Sequence, residues 1–209
     1  AAVGARPFPV QEKRLEGLIE CHELYIKLRA CRAKCAHNVD LVSMLARDPH
    51  TKDMDPMNLL GNLSLLMVGG NYTTRNSMSA SINAWNQYPD EFAKLWEDPT
   101  LIDTMVAEVI RWQTPLSHMR RTALEDVEMH GKTIKKGDKV VMWYYSGNHD
   151  EDVFEDPRVV KFDRPNGKSH LSFGFGIHRC MGLRVAELQL RILWQQIIEK
   201  FEKIEIVKD

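Results

Sequence analysis

The run Phe173-Gly174-Phe175-Gly176-Ile177-His178-Arg179-Cys180-Met181-Gly182 constrains this chain more than any other stretch. It sets one cysteine just ahead of an apolar stripe, Leu183, Ala186, Leu190, Leu193 and Ile197, whose spacing marks one face of a helix. A helix N-terminus offers free N–H groups and a positive dipole, and both favour an anionic sulfur. Gly174 and Gly176 let the backbone come close to a flat ligand. Phe173 can cover such a ligand and His178 can reach a carboxylate. The residues describe a place to hold a thiolate against a metal. A buried core cysteine in a glycine turn is the ordinary reading of a lone cysteine. Six defined positions at fixed spacing, however, arise by chance on the order of 10⁻⁸ per start position. Zinc would draw on Cys180, His178 and His170, but the chain lacks a second Cys pair at finger spacing.

The rest of the composition excludes more than it suggests. The chain has 209 residues, 44% apolar and 27% charged, with a formal net charge of −1, which is an ordinary globular balance. Such a charge gives no electrostatic reason to expect nucleic-acid binding. No apolar run reaches membrane-span length; Leu59 to Gly70 is broken by Gly61, Asn62 and Ser64. No leader is visible, and four cysteines in a chain this long read as reduced thiols of a cytoplasmic protein. The chain begins at Ala1 and stops beyond a strand-like Ile204-Glu205-Ile206-Val207, so both ends read as cut. Cys31 and Cys35 with His37 sit on a helical pattern and read as incidental thiols.

Periodicity predicts helices over 11–36, 40–46, 56–87, 90–97 and 99–113, and after Gly182. Thr100 with Asp103 has capping-box spacing. Gly69-Gly70 and Thr73-Thr74 interrupt the longest helix with poor helix formers, which predicts a distortion or a close approach there. Residues 119–129 and 140–145 read as strands around turns at His130-Gly131 and Lys135–Asp138. Residues 146–172 read as one long loop. The expected fold is mainly α with a small antiparallel β-sheet. The scattered methionines, Met54, Met57, Met67, Met78 and Met105, read as core filler or pocket lining.

The cysteine run resembles the haem-thiolate loop of the cytochrome P450 superfamily. The resemblance implies haem b (iron protoporphyrin IX) with Cys180 as the axial ligand, whose electron-rich thiolate favours O–O cleavage. Phe173, Gly174 and Gly176 would shape the loop, and His178 and Arg121 would meet the haem propionates. Glu108 and Arg111, spaced to share a helix face, resemble the superfamily's Glu-x-x-Arg pair, with Arg164 as its third member. Gly69, Gly70 and Thr73 resemble the oxygen-binding segment, where the glycine leaves room for dioxygen and the threonine orders a water. In that segment an acid precedes the threonine, but here the position holds Tyr72. A phenol, with an ordinary pKa of about 10, relays protons poorly at neutral pH beside a carboxylate of about 4.

A narrower resemblance rests on Gly70-Asn71-x-Thr-Thr-Arg-Asn-Ser-Met, Asn86–Glu91, Ile110–Leu116 and Met119–Ala123. Together these are similar to the soluble bacterial alkane hydroxylases of the superfamily. That implies terminal hydroxylation of medium-chain alkanes or fatty acids. It also implies a ferredoxin and a ferredoxin reductase as electron donors. Leu66, Met67, Gly69, Leu116 and Met119 would line the pocket for a hydrophobic substrate, and Lys168, Arg179 and Arg184 would attract an acidic ferredoxin. Residues 1–209 would then be the C-terminal part of a single haem-thiolate monooxygenase domain, acting as a monomer. Tyr72 keeps two alternatives open: a haem-binding homologue without turnover, and a peroxide-driven hydroxylase.

Overall fold

A few polar side chains set where the helices begin, and apolar periodicity sets what they bury. The computed structural model describes residues 11–34 and 40–207. The chain divides after Val68 into two compact units, each described by itself.

The first unit holds α1 (Gln11–Ala33), α2 (Leu41–Arg47) and the start of α3 (Pro56–Gln87). Asp40 caps α2, accepting from Ser43 N–H at 3.0 Å and from Ser43 Oγ at 2.8 Å. Those two bonds hold its carboxyl below the usual carboxylate range. Tyr25, Leu59, Leu60 and Leu63 form a small core with Cys21, Val42, Leu45 and Met54 against it. Helix α1 ends at Ala33, short of the predicted 36, and Lys34 turns out of it. Cys21 and Cys31 are free thiols. Cys35 and His37 lie outside the described residues, and with them the reading of that cluster.

The second unit begins within α3. It continues through α4 (Pro89–Glu97), α5 (Ile102–Gln113), four strands, α6 (Tyr144–Asn148) and α7 (Leu183–Lys200). The predicted stripe of α7 packs inward at Leu190 and Ile197, but the centre of its buried face is Trp194. That indole lies 5.0 Å from the Phe92 ring and 5.6 Å from Trp85, centroid to centroid. Its N–H donates to Ser81 Oγ at 2.9 Å, so the indole's own polar atom is not stranded in the core. Asp103 of α5 pairs with Arg191 of α7 at 2.6 Å.

Several expectations change. Thr100 and Asp103 form no capping box. Asp98 accepts from Thr100 N–H at 3.0 Å and Thr100 Oγ1 at 2.6 Å, starting a 3-10 turn over Pro99–Leu101 that leads into α5. Proline in the first turn suits that tighter entry. The predicted strand 119–129 is two strands, β1 (His118–Thr122) and β2 (Val127–Met129). Strands β3 (Lys132–Ile134) and β4 (Lys139–Trp143) complete two separate antiparallel pairs, β1 with β4 and β2 with β3. Tyr144 and Tyr145 leave the predicted strand for α6. The strand-like 204–207 is not a strand; Asn86 holds it by its side chain, donating to Ile204 O and accepting from Ile206 N–H, each at 3.3 Å. Helix α3 stays α-helical through Gly69-Gly70. Around both glycines an added Cβ would meet nothing within 4 Å, so no close approach among the described residues explains them.

Replacing Trp194 with alanine is expected to cost about 3–5 kcal/mol of stability in equilibrium urea unfolding. A loss near that of an exposed apolar residue would show that the second unit's core lies elsewhere.

Candidate functional site

Helix α5 is buried over most of its length, including two residues that carry charge. Glu108 is 1% exposed and Arg111 0%. One helical turn apart, they meet fork to fork: Arg111 Nε to Glu108 Oε2 and Nη2 to Oε1, both at 2.7 Å. Arg164 enters from the wrapping segment and sets its Nε 3.2 Å from both carboxylate oxygens. Lys161 N–H adds a bond to Oε1 at 3.1 Å. The remaining guanidinium hydrogens go to backbone carbonyls. Arg111 reaches Asn148 O at 2.7 Å and Pro157 O at 2.8 Å; Arg164 reaches Glu155 O, and Val159 O at 3.2 Å. The Phe154 ring faces the Arg111 guanidinium at 5.1 Å. These three residues brace the segment that leads to the cysteine loop.

That segment is less of a loop than its sequence suggests. It starts in α6, contains a 3-10 turn over Gly167–Ser169, and is pinned by side chains. Trp112 Nε1 and the Tyr88 hydroxyl both donate to Arg158 O, at 3.0 and 3.2 Å. Asn148, to which the sequence reading assigned no role, is fully buried and touches both α5 and the loop entry. No sequence signal pointed to it: Asn148 follows Ser146-Gly147 and reads as an ordinary turn residue.

Residues 173–182 carry the thiol to the surface. Phe173 is half-buried and packs on the second unit's core. Gly174 has φ +67°, which favours glycine, and a Cβ there would sit a tight 3.3 Å from the Tyr144 hydroxyl. Gly176, at φ +71°, faces open space. A 3-10 turn over Gly176–His178 follows, and Cys180 N–H then returns to Phe173 O at 2.8 Å. Cys180 and His178 are exposed. Phe175, Ile177 and Met181 are 85%, 96% and 89% exposed. Three large apolar side chains around one exposed thiol make a surface suited to an apolar cover. The first turn of α7 contains no acidic side chain to oppose an anionic sulfur. This donor set, with its open glycine, fits a flat apolar group ligated by a thiolate.

The other predicted residues fall as follows. Arg121 lies on β1, half-buried, with Nη1 donating to Arg120 O at 3.0 Å. Thr73 Oγ1 donates to Gly69 O at 2.8 Å, closing a helical turn over Gly70. Tyr72 is 56% exposed, with the Arg75 guanidinium 5.2 Å from its ring centre. Leu66 and Met67 belong to the first unit; Gly69, Leu116 and Met119 belong to the second, where Leu116 and Met119 are partly exposed apolar surface. No group of three or more His, Cys, Asp or Glu suited to a metal ion occurs among the described residues, so the zinc arrangement finds no support. His170 is neutral instead. Burial, then the nearby Arg111 charge, push its pKa down to about 4, and its Nδ1 accepts from Ser172 N–H at 3.2 Å. No helix among the described residues is long and apolar enough to cross a membrane.

A histidine with a depressed folded pKa stabilises the fold above its unfolded value. That contribution is lost as pH falls from about 6.5 toward about 4, because the unfolded chain takes up a proton that the folded chain refuses. Urea midpoints at pH 7 and pH 5 should therefore fall further for the parent protein than for His170→Gln. Equal falls would show that His170 is not held neutral.

Residues 18–207 match the family described as cytochrome P450. Among curated relatives, linalool 8-monooxygenase of Pseudomonas putida is 41% identical over 89% of this chain and 45% of its own length. Methyl-branched lipid omega-hydroxylase of Mycobacterium bovis is 35% identical over 77% of this chain and 38% of its own. Among solved structures, cytochrome P450-153 from Novosphingobium aromaticivorans superposes with a TM-score of 0.84 at 47% identity, covering 90% of this chain and 47% of that one. CYP153D17 from Sphingomonas sp. PAMC 26605 gives 0.86 at 46% identity, covering 93% and 49%. The chain thus spans about half the length of the relatives it matches. With the match running through the helices, both strand pairs and the cysteine loop alike, the chain belongs to the cytochrome P450 family.

Proposed function

We propose that this chain forms part of a haem-thiolate monooxygenase that hydroxylates the end of a hydrocarbon chain. The cofactor of its family is haem b, and Cys180 is the residue we assign to the iron. The observation that carries this reading is the loop itself: an exposed thiol ahead of α7, behind Gly174 and Gly176, ringed by uncovered apolar side chains. When bound, the haem would supply the dioxygen chemistry. The chain's own residues would hold and orient it. His178 and Arg121 would meet its carboxylates, while Glu108, Arg111 and Arg164 would brace the segment that carries the thiol. Thr73 already gives its proton to Gly69 O, which leaves its lone pairs to accept from a water and hold it in place.

Terminal attack is supported by the names of two relatives, an 8-monooxygenase of linalool and an omega-hydroxylase of methyl-branched lipids. Within the second unit, Gly69, Leu116 and Met119 remain our choice of pocket residues, small or apolar as a hydrocarbon requires. Ferredoxin and its reductase are the electron donors we propose. Lys168, Arg179 and Arg184, all exposed, offer cationic groups to an acidic partner.

Tyr72 favours a second reading, a homologue that binds haem but turns over slowly or draws on peroxide. The carbon monoxide difference spectrum of the haem-loaded protein tests the ligand. A thiolate Soret band that disappears in Cys180→Ser is expected; a band unchanged by that substitution would reject Cys180. Product formed per electron consumed tests the relay, and Tyr72→Asp is expected to raise it by about twofold or more. Equal coupling in both proteins would clear Tyr72 of any effect on proton delivery. Turnover with hydrogen peroxide but not with ferredoxin would favour the peroxide-driven reading.

A further inference from the structure

We infer that Asn148 is a positioning residue for the Cys180 loop, joining the end of α5 to the loop's entry through one side-chain amide. The functional consequence rests on the assignment of Cys180 as the haem ligand.

Asn148 is 0% exposed at the C-terminus of α6. Its Nδ2 lies 2.8 Å from Thr114 Oγ1 and 2.8 Å from Ser172 Oγ, and its Oδ1 accepts from Leu171 N–H at 2.6 Å. The direction of every bond is forced. Thr114 Oγ1 spends its only hydrogen on Arg111 O at 2.7 Å, and Ser172 Oγ spends its own on Ile110 O at 2.9 Å. Both hydroxyls must therefore accept from position 148. The Leu171 amide must donate to it. The site needs two N–H donors and one acceptor at the tip of a short side chain, and among side chains of that length only asparagine supplies them. Aspartate has the same shape, but would aim an oxygen at two hydroxyl lone pairs in a buried place.

The bonds on each side of Asn148 lead to different things. On one side is the end of α5. Arg111 Nη1 holds the Asn148 carbonyl at 2.7 Å, and Thr114, in the left-handed region at φ +46°, closes the helix. On the other side is the path to the thiol. Leu171 O accepts from Gly174 N–H at 2.8 Å, which makes the turn before the glycine loop, and Phe173 O accepts from Cys180 N–H at 2.8 Å. Leu171 and Ser172, both bonded to the amide of Asn148, thus set the backbone that fixes Phe173, and Phe173 fixes Cys180. The bonds of Glu108, Arg111 and Arg164 to other segments go to position 148 and to 155–161. Asn148 carries that order onward to 171–180, a task distinct from that of the ion triad.

Amide hydrogen exchange in Asn148→Asp and Ser172→Ala tests the inference without relying on haem. Exchange across 171–182 is expected to quicken about tenfold or more in either variant. Residues 190–197 of α7 should stay within about twofold of the parent protein. In the haem-loaded protein, the share of the carbon monoxide complex with the thiolate band should fall in the same variants. Parent-like exchange over 171–182 in both would overturn the proposal. So would equal quickening over 171–182 and 190–197, which marks a merely structural residue. Ser172→Ala removes only one hydroxyl, with its bonds to Asn148 Nδ2 and Ile110 O, and decides the matter should Asn148→Asp fail to fold. A parent protein with no thiolate band would reject Cys180 as ligand, and the exchange result would still judge Asn148.

Discussion

Glu108 lies between two guanidinium groups with almost no access to water, and the architecture of the second unit depends on how that charge is met. One carboxylate and two arginines leave an excess positive charge in a medium where isolated charge is costly. Five backbone carbonyls, of Asn148, Glu155, Asp156, Pro157 and Val159, and the face of Phe154 absorb it. Those carbonyls belong to a stretch with no strand ladder of its own. The cluster needs the segment's acceptors, and the segment needs the cluster's donors. Removing one partner would leave a buried unpaired charge, a loss of about 3–5 kcal/mol. Such a cluster holds backbone in a specific path, which a hydrophobic contact of equal size would do less strictly.

From that path two consequences reach the thiol. The segment enters the cysteine loop at Leu171 and Ser172, already tied to α5 through Asn148. Beyond Phe173 the chain turns on two glycines, and the thiol emerges exposed, next to apolar side chains that the described residues do not cover. Rigid support behind the loop and open apolar surface in front of it suit a site whose other half is a cofactor.

The sequence was legible where local rules decide the outcome. Pro56 and Gln87 bound α3 as predicted, because proline starts a helix well and Tyr88-Pro89 ends one. Gly174 was legible as a loop glycine, though not the Tyr144 hydroxyl that also crowds a side chain there. The misreadings share a cause. Asp98 outcompeted Thr100 and Asp103 for the cap, and Tyr144-Tyr145 continued a β-like run into a helix. Residues 204–207 alternate like a strand but are held by one asparagine side chain. In each case a partner distant in sequence, or a competing polar group, overrode a pattern read over a few residues.

By itself the sequence determined the order of the helices other than α6, the cysteine loop and the spacing of Glu108 with Arg111, because these follow from periodicity and from residue types at fixed short separations. It also exposed Tyr72 where its family resemblance called for an acid. Only the tertiary structure decided that the Glu108 pair is buried, that Arg164 sets its Nε 3.2 Å from both carboxylate oxygens, that His170 is neutral, and that Asn148 is the junction to the loop. Burial and hydrogen-bond direction depend on atoms brought together from positions 23 to 62 residues apart, and no local pattern carries that information.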